Sequence, residues 1–397
     1  MTRHVAHLDM DAFFASVELL RYPQLVGLAV VIGGGRRQPP DARADGSLQF
    51  TTLRHYTGRG VATTATYAAR AYGVHSGMGL MKAALLAPDA VLLPVDFERY
   101  RSYSRAFKAA VAEVVGSEPP LIEDRGIDEI YIDLSNFPGV QADHGAAAAR
   151  AIKARVLERT GLSCSIGVTP NKLLAKLASD LDKPGGITLL READIAPRLW
   201  PLPARRINGI GPKASQKLET LGIRTIGELA AADCDWLVAQ FGHSQGAWLH
   251  AAAHGRDERP VVTYSEPKSL SRETTFERDL HARSDREALG EIFTRLCEQL
   301  AADLRRKGYA SRTIGLKLRF DDFKTVTRDV TLSEATADAQ IIRRAAGECL
   351  KRVPLERRLR LLGVRAGSLV RPGEAGKASP RVAEPPAGPT TAGLFDN

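Results

Sequence analysis

A carboxylate at the end of the first predicted strand constrains this chain more than any other feature. Val5–Leu8 is predicted to form a short buried strand, and the stretch His7–Phe14 (HLDMDAFF) continues it with two aspartates and two phenylalanines. A lone buried carboxylate is costly unless it is paired, so Asp9 and Asp11 need partners elsewhere in the fold. A helix follows directly, and Asp11 is predicted to cap it.

The order of the later elements predicts which residues accompany Asp9. A two-stranded hairpin, an alanine-rich helix and a further strand are predicted over Leu121–Asp124, Ile130–Leu134, Gly145–Arg159 and Ser163–Val168. With the first strand and a helix over Phe97–Val115 they form a βαββαβ unit, whose first and third strands are antiparallel neighbours. Asp128 and Glu129, at the start of the third strand, should therefore lie beside Asp9.

A segment inserted after the first strand is predicted to form a small additional layer. It contains a strand over Ala29–Ile32 and a short helix over Thr64–Tyr72. Residues 36–60 between them are rich in Arg, Gly, Pro and Asp and show little periodicity, which is typical of a surface loop.

Three carboxylates at one end of a sheet indicate a metal site. Like charges in one site raise one another's pKa, so Asp9, Asp128 and Glu129 are unfavourable together without cations. Two Mg²⁺ ions resolve this repulsion and create a phosphoryl-transfer site, because Mg²⁺ binds carboxylates and substrate phosphates. Taken singly, each acid is more often a solvated turn residue; their matching positions in one sheet favour the metal site.

A triphosphate clamp is predicted on the short helix. Tyr67 and Arg70 are spaced i,i+3 on one face, with Thr63–Thr64 near the helix N-terminus. Hydroxyl and guanidinium donors at such a position suit a phosphate group.

A second source of positive charge follows the fourth strand of the unit. Lys172 and Lys176 are spaced i,i+4 on one helix face, for which an ordinary solvated face is the alternative interpretation. Thr169 is predicted to cap this helix, with Pro170 in its first turn.

Beyond Pro203 the chain is predicted to form short helices with two glycine turns. The first turn contains Gly209, Gly211 and Lys213, and the second is Leu221–Ile223. This pattern has the form of a helix-hairpin-helix, whose glycines let backbone N–H groups approach a DNA phosphate. An ordinary turn is the alternative.

The C-terminal part is predicted to form a separate basic α+β module after a linker at Pro260–Pro267. Residues 267–368 contain 22 Lys and Arg against 15 Asp and Glu, an excess of seven in a chain of net charge +9. Such a module suits a polyanionic partner. Past Val370, a tail rich in Pro, Gly and Ala is expected to be disordered.

Cysteine spacing and hydropathy argue against two other classes of protein. The four cysteines lie singly, without the pairs that a zinc site or a redox motif needs. Apolar runs are too short to span a bilayer, and the N-terminus lacks an apolar signal segment. We therefore expect a soluble cytoplasmic protein.

Five motifs together resemble the Y family of DNA polymerases, closest to its DinB or DNA polymerase IV branch. The resemblance covers about residues 4–368, and its motifs are HLDMDAFFASVE, TTATYAARAYGVHSGM, GIDEIYIDL, CSIGVTPNKLLAKLASDLDKPGG and INGIGPKASQKLETLGIRTIGEL.

This resemblance implies an α+β fold shaped as a right hand, with a ferredoxin-like palm, small fingers, a helix-hairpin-helix thumb and an α+β little finger. The implied domains are a palm over 1–183 with fingers at about 12–80, a thumb over 184–258, a linker over 259–267, a little finger over 268–368 and a disordered tail over 369–397.

The resemblance also implies roles for individual residues. Asp9, Asp128, Glu129 and the Met10 carbonyl are implied to hold two Mg²⁺ ions, whereas Asp11 is not a ligand. Phe14 matches the steric gate that excludes a 2′-hydroxyl, with Phe13 facing the core. The implied triphosphate contacts are Tyr67, Arg70 and Lys176, with Lys172 as a further candidate, and the implied DNA contacts are Gly209, Gly211 and Lys213.

Four features depart from the family pattern. Gly126 stands where a serine is usual, Thr66 where an asparagine is usual and Gly79 where a proline is common; residues 36–58 form a longer loop than usual. In the tail, Leu394 and Phe395 resemble a sliding-clamp peptide that lacks its leading glutamine.

The function implied is template-directed addition of dNTPs to a primer 3′-OH by two-metal nucleotidyl transfer, in translesion synthesis with low fidelity and without proofreading. The implied partners are primer-template DNA, a dNTP and a sliding clamp, and we expect a monomer in the cytoplasm at the nucleoid. Two rivals are a catalytically silent relative acting as a DNA-bound scaffold and a two-metal nuclease. The retained carboxylates argue against the scaffold, and the nucleotide clamp and steric gate argue against the nuclease.

Overall fold

The computed structural model of the protein describes residues 3–34, 40–43, 45–116 and 120–371. The described chain divides into two compact units, with the boundary between Tyr264 and Ser265. The proposed clamp peptide at Leu394 and Phe395 lies outside the described residues.

The first unit contains the first ten strands and eleven helices in chain order. They are β1 (Val5–Met10), α1 (Phe13–Arg21), β2 (Val30–Gly33), β3 (Asp41–Ala42), β4 (Leu48–Gln49), β5 (Ala62–Ala65), α2 (Tyr67–Ala71), α3 (Leu80–Leu86), β6 (Val91–Leu93), α4 (Phe97–Val115), β7 (Ile122–Asp124), β8 (Glu129–Asp133), α5 (Val140–Asp143), α6 (Ala146–Thr160), β9 (Cys164–Thr169), α7 (Lys172–Ser179), β10 (Ile187–Leu189), α8 (Pro212–Thr220), α9 (Ile226–Ala231), α10 (Cys234–Phe241) and α11 (His243–Ala253).

The central sheet has the strand order β10-β9-β1-β8-β7. β1 is antiparallel to both of its neighbours, β8 and β9, and Asp9 pairs with Glu129 in the ladder to β8. This confirms the predicted βαββαβ unit, including the adjacency of its first and third strands. The sheet also has one strand that was not predicted, β10, which runs parallel to β9 at the edge.

The two faces of β1 have different environments because successive side chains of a strand point to opposite faces. Ala6, Leu8 and Met10 belong to the large core that also contains residues of α4 and α6. His7 and Asp9 lie on the other face, with α7. Gly167 of β9 lets α7 approach closely, since a Cβ there would lie 2.4 Å from the carbonyl oxygen of Ala175.

The inserted segment forms a three-stranded sheet in the order β5-β2-β6, with α2 and α3 beside it. The predicted helix over Thr64–Tyr72 is wrong in its first part. Residues 62–65 form β5, paired with β2, and the helix begins only at Tyr67 after its N-cap Thr66, whose side chain accepts from the amide of Ala69.

The predicted surface loop at residues 36–60 contains some regular structure where it is described. β3 and β4 form a small antiparallel hairpin. Phe50, which follows the hairpin, packs edge-on against Tyr22 with ring centroids 5.5 Å apart. Aromatic packing therefore anchors this part of the inserted segment to the core.

The helices α8–α11 share an apolar core with α7. Gly209, in the first predicted glycine turn, has φ of 112°, which suits glycine, and a Cβ there would collide with the ring of Trp248 at 2.8 Å. Thr225 and Glu228 form a capping box at the start of α9. The predicted pair of glycine turns joined by a helix is present.

The second unit has strands β11 (Ser269–Leu280), β12 (Ala310–Phe320), β13 (Thr325–Thr336) and β14 (Leu359–Val370), with helices α12 (Arg286–Lys307) and α13 (Ala339–Lys351). Its four-stranded antiparallel sheet has the order β11-β14-β12-β13. Both helices share one apolar core with the sheet. This is the α+β module predicted for the C-terminal part.

Among the described residues, no helix combines the length and the apolar character that crossing a membrane requires. All four cysteines are free thiols.

Candidate active site

The three predicted carboxylates meet at one end of the central sheet. Asp9 ends β1 opposite Glu129, the first residue of β8. The backbone amide of Met10 donates to the carbonyl oxygen of Asp128 at 3.1 Å, which fixes the position of Asp128 against β1. The side chain of Met10 is buried in the core.

Two lysine ammonium groups lie among these carboxylates. Lys176 Nζ is 3.0 Å from Asp9 Oδ2 and 2.6 Å from Glu129 Oε1. Lys183 Nζ is 2.8 Å from Asp9 Oδ1 and also 2.8 Å from Asp180 Oδ1. Lys176 was predicted, whereas Lys183 was not singled out, although it belongs to the quoted stretch SDLDKPGG.

The ionisation of the three acids differs because their surroundings differ. Burial, together with the nearby charges of Asp9 and Glu129, raises the pKa of Asp128 to about 7. Burial also acts to raise the pKa of Glu129, but His7 and the Lys176 ammonium outweigh it and lower the pKa of Glu129 below its usual range. Asp128 is thus the acid for which additional positive charge is most lacking.

His7 lies behind Glu129. Ser179 Oγ donates to the carbonyl of Lys176, so it accepts from His7 Nδ1, 2.8 Å away. His7 Nε2 then presents a lone pair toward Glu129 Oε2 at 3.7 Å, too long for a hydrogen bond, and it has no hydrogen-bond partner in the described chain. Burial lowers the pKa of His7, in keeping with a neutral ring.

The donor set suits a hard divalent cation. In the described part of the chain, no three His, Cys, Asp or Glu side chains are arranged as a closed metal site. The physical reason is that the carboxylates of Asp9 and Glu129 are turned to Lys176 and Lys183. Three carboxylates whose mutual repulsion is only partly offset by lysines are nevertheless the oxygen ligands that Mg²⁺ prefers.

The prediction that Asp11 caps the first helix is wrong. The N-cap of α1 is Ala12, at φ 44°, and no side chain caps it. The Asp11 carboxylate is buried and accepts from Ser163 Oγ at 2.8 Å, Ser165 Oγ at 2.7 Å and the amide of Gly185 at 2.9 Å. Asp11 thus joins β1 to distant segments of the sheet.

Both phenylalanines of the opening stretch are buried. Phe13 is 2% exposed and Phe14 is 4% exposed. The Phe14 ring stacks on Tyr100, with centroids 4.3 Å apart and planes at 17°, and meets Phe97 edge-on at 5.9 Å. Tyr100 is itself held by a hydrogen bond of 2.8 Å from its hydroxyl to Glu18. The ring of Phe14 is therefore firmly positioned.

Tyr67 and Arg70 lie together, as predicted from their spacing. The Arg70 guanidinium carbon is 5.0 Å from the centroid of the Tyr67 ring, and Arg70 Nε donates to the carbonyl of Ala65 at 3.0 Å. The Tyr67 hydroxyl is 3.5 Å from Asp11 Oδ1. Burial and the charge of Asp11 raise the pKa of Tyr67 to about 12, so its hydroxyl stays protonated as a donor.

Lys172 does not join the carboxylates. It is 6% exposed, and its ammonium donates to Glu123 and to the carbonyl of Pro260 at 3.2 Å. The predicted cap of its helix is also wrong. Asn171 caps α7 by accepting from the amide of Leu174, and Thr169 is the last residue of β9.

The glycine turn of the predicted helix-hairpin-helix presents open backbone. Gly211 is the N-cap of α8, and a Cβ there would meet no other atom within 4 Å. Lys213 is exposed in the first turn of the same helix.

Family models match most of the chain. The impB/mucB/samB family matches residues 8–180, its C-terminal domain matches residues 267–379, and the thumb domain of DNA polymerase-iota matches residues 205–257.

Curated relatives match nearly the whole length. A DNA polymerase IV from Methanoculleus marisnigri is 40% identical over 368 residues, which is 93% of this chain and 95% of that protein. A DNA polymerase IV from Caulobacter vibrioides is 39% identical, over 91% of this chain and 82% of that protein. Among solved structures, a Y-family DNA polymerase chimera has a TM-score of 0.75 and 25% identity, covering 93% of this chain and all of that one.

Proposed function

The chain belongs to the Y family of DNA polymerases, in its DNA polymerase IV branch, and is a translesion DNA polymerase; we propose that Asp9, Asp128 and Glu129 are the residues with which it performs nucleotidyl transfer. The single observation that supports this most strongly is the pairing of Asp9 with Glu129 across β1 and β8, with Asp128 adjacent. The fit to the family relatives along nearly the whole chain favours this enzyme over a silent scaffold.

The three carboxylates, with the Met10 carbonyl, would hold two Mg²⁺ ions. When bound, such ions lower the pKa of an attacking hydroxyl and neutralise the charge of the leaving pyrophosphate. Asp9 and Glu129 contribute preset negative charge at the ends of paired strands. Lys176 and Lys183 keep these acids ionised and in place until the nucleotide arrives with its own cations.

Tyr67, Arg70 and the two lysines are proposed to bind the triphosphate. Arg70 is oriented by the Ala65 carbonyl and stacks on Tyr67, so its guanidinium is preorganised for bidentate contact with phosphate. Lys183, the residue that the sequence did not single out, is included because it contacts Asp9 directly. Lys172 is excluded, because it is committed to Glu123.

Phe14 is proposed as the steric gate under the sugar. Its ring is held by Tyr100 and Phe97, so it cannot easily move aside to admit a 2′-hydroxyl. A firm ring converts one additional oxygen atom into a steric clash.

The proposed DNA contacts are independent of base sequence. Gly209, Gly211 and Lys213 would bind backbone phosphate through amides and one ammonium group. The basic second unit would add nonspecific attraction, since residues 267–368 hold most of the net positive charge.

The proposed domains are the palm over 1–183 with fingers at about 12–80, the thumb over 184–258, the linker over 259–267 and the little finger over 268–368. Strand β14 extends to Val370, so we begin the tail after that residue instead of at 369. Leu394 and Phe395 of the tail are proposed to bind a sliding clamp. We propose that the enzyme acts as a monomer at the nucleoid of the cytoplasm.

Primer extension with a metal-site variant tests the proposal. Replacing Asp128 and Glu129 by Ala should abolish extension in Mg²⁺ with all four dNTPs, while the affinity for primer-template DNA, measured by anisotropy, stays close to that of the wild type. Extension that survives the double substitution contradicts the proposed site. Loss of both activity and folding, detected by circular dichroism, would require repetition with Asn and Gln.

A further inference from the structure

The turn that carries Asp128 is anchored at both ends. It joins β7 to β8 over residues 125–128. The amide of Arg125 donates to the carbonyl of Glu129 at 3.1 Å, and the carbonyl of Asp128 accepts from Met10. Ile127 is half-buried against the main core. The apex of the turn, at Gly126, is exposed.

A lysine from α4 holds this apex. Lys108 Nζ donates to the Gly126 carbonyl at 2.8 Å and to both carboxylate oxygens of Asp124, at 2.7 and 2.8 Å. Asp124 Oδ1 in turn accepts from the amide of Gly126 at 3.3 Å. Both backbone polar groups of Gly126 are thus bound by one ion pair.

Gly126 lies directly beside the carboxylate of Asp128. A Cβ built on Gly126 would be 3.7 Å from Asp128 Oδ1, an ordinary van der Waals distance. Movement of the apex by an ångström would therefore change the space available to that carboxylate. Gly126 is also the position at which this chain lacks the serine usual in the family.

The arrangement of Lys108 favours local ordering over global stability. The Lys108 side chain is 23% exposed and Asp124 is 65% exposed, and an ion pair of this kind ordinarily adds little to stability. Yet the ammonium directs its contacts to a single hairpin turn, and it extends from a 19-residue helix that forms part of the core. A rigid platform is thereby linked to a short exposed turn.

We propose that Lys108 is a positioning residue for Asp128, and that with Asp124 it holds the Gly126 apex so that the Asp128 carboxylate keeps its place beside Asp9 and Glu129. This inference rests on the proposed role of Asp128 in nucleotidyl transfer. It assigns Lys108 no contact with the substrate.

The test compares Lys108→Met with Glu113→Gln in the full-length protein. Glu113 lies on the same helix and forms an exposed ion pair with Arg155 and Arg159, away from the turn, so it is a matched control. Lys108→Met should accelerate hydrogen exchange in a peptide spanning residues 121–131, which Glu113→Gln should leave unchanged. This readout does not depend on activity.

The kinetic readout is single-turnover nucleotide incorporation at saturating DNA and dNTP. Lys108→Met should lower the maximal rate about tenfold, the lower range for loss of a group that supports a metal ligand. The affinity for primer-template should change less than about twofold, because Lys108 is not proposed to contact DNA. Lys108→Arg, which keeps the charge and several donors, should recover most of the rate.

Each other outcome overturns the proposal. Unchanged exchange and rate in Lys108→Met would show that the turn needs no support. A weaker DNA affinity with a normal maximal rate would make Lys108 a phosphate contact instead. Asp128→Asn, measured in parallel, separates the two hypotheses: an active Asp128→Asn enzyme contradicts the proposed function, whereas an inactive one beside a normal Lys108→Met enzyme contradicts this inference alone.

Discussion

Replacing Asp11 by Asn should destabilise the protein, whereas the same change at Asp9, two residues earlier, should mainly remove activity. The Asp11 carboxylate is 3% exposed and accepts three hydrogen bonds of 2.7 to 2.9 Å, from two serine hydroxyls and one backbone amide. A hydrogen bond to a charged group contributes about 1.5–3 kcal/mol. An Asn side chain turns one acceptor oxygen into a donor, so at least one of these bonds is lost and the charge no longer strengthens the others.

We therefore expect Asp11→Asn to lower the free energy of unfolding of the first unit by about 3 kcal/mol. For a unit of this size the melting temperature should fall by about 6 °C or more. Asp9→Asn should change the stability by only about 1 kcal/mol, because losing its contacts with Lys176 and Lys183 is offset by relief of repulsion from Asp128 and Glu129.

Thermal unfolding followed by tryptophan fluorescence measures this difference. All three tryptophans, at positions 200, 236 and 248, lie in the first unit, so the signal reports on that unit. Primer extension by each variant, well below its melting temperature, supplies the second axis. A wild-type melting temperature for Asp11→Asn, or full extension by Asp9→Asn, would refute the assignment of a structural role to one acid and a catalytic role to the other.

Three further predictions concern other parts of the chain. Phe14→Ala should raise the incorporation of ribonucleotides relative to deoxynucleotides, because the ring no longer blocks a 2′-hydroxyl; unchanged sugar selectivity in single-nucleotide assays would contradict the gate. Lys172→Met should lower stability by about 3 kcal/mol by leaving the buried Glu123 without its ammonium partner, while the incorporation rate at saturating dNTP stays normal; a selective rise in the KM for dNTP would return Lys172 to the triphosphate site. Deleting residues 393–397 should reduce processivity only with a loaded clamp, and equal product lengths with and without the deletion would show that the tail does not bind it.

The sequence by itself was sufficient for the framework of the first unit. The helix over Phe97–Val115 has the predicted bounds, because its amphipathic repeat and the closing Gly116 are local signals. The adjacency of Asp9 and Glu129 was also predictable, since a βαββαβ unit permits few strand orders. Where a residue's role follows from periodicity or from topology, its neighbours need not be known individually.

Only the tertiary structure decided the partners of individual polar side chains. Asp11 has the composition of a helix cap, yet its donors come from residues 163–185, some 150 residues away. Lys172 and Lys176 share one helix face, but one is committed to Glu123 and the other to the carboxylates at the sheet end. Hydrogen bonds and ion pairs form wherever packing brings matching groups within about 3 Å. That distance is set by how the whole chain folds, and local sequence patterns do not encode it.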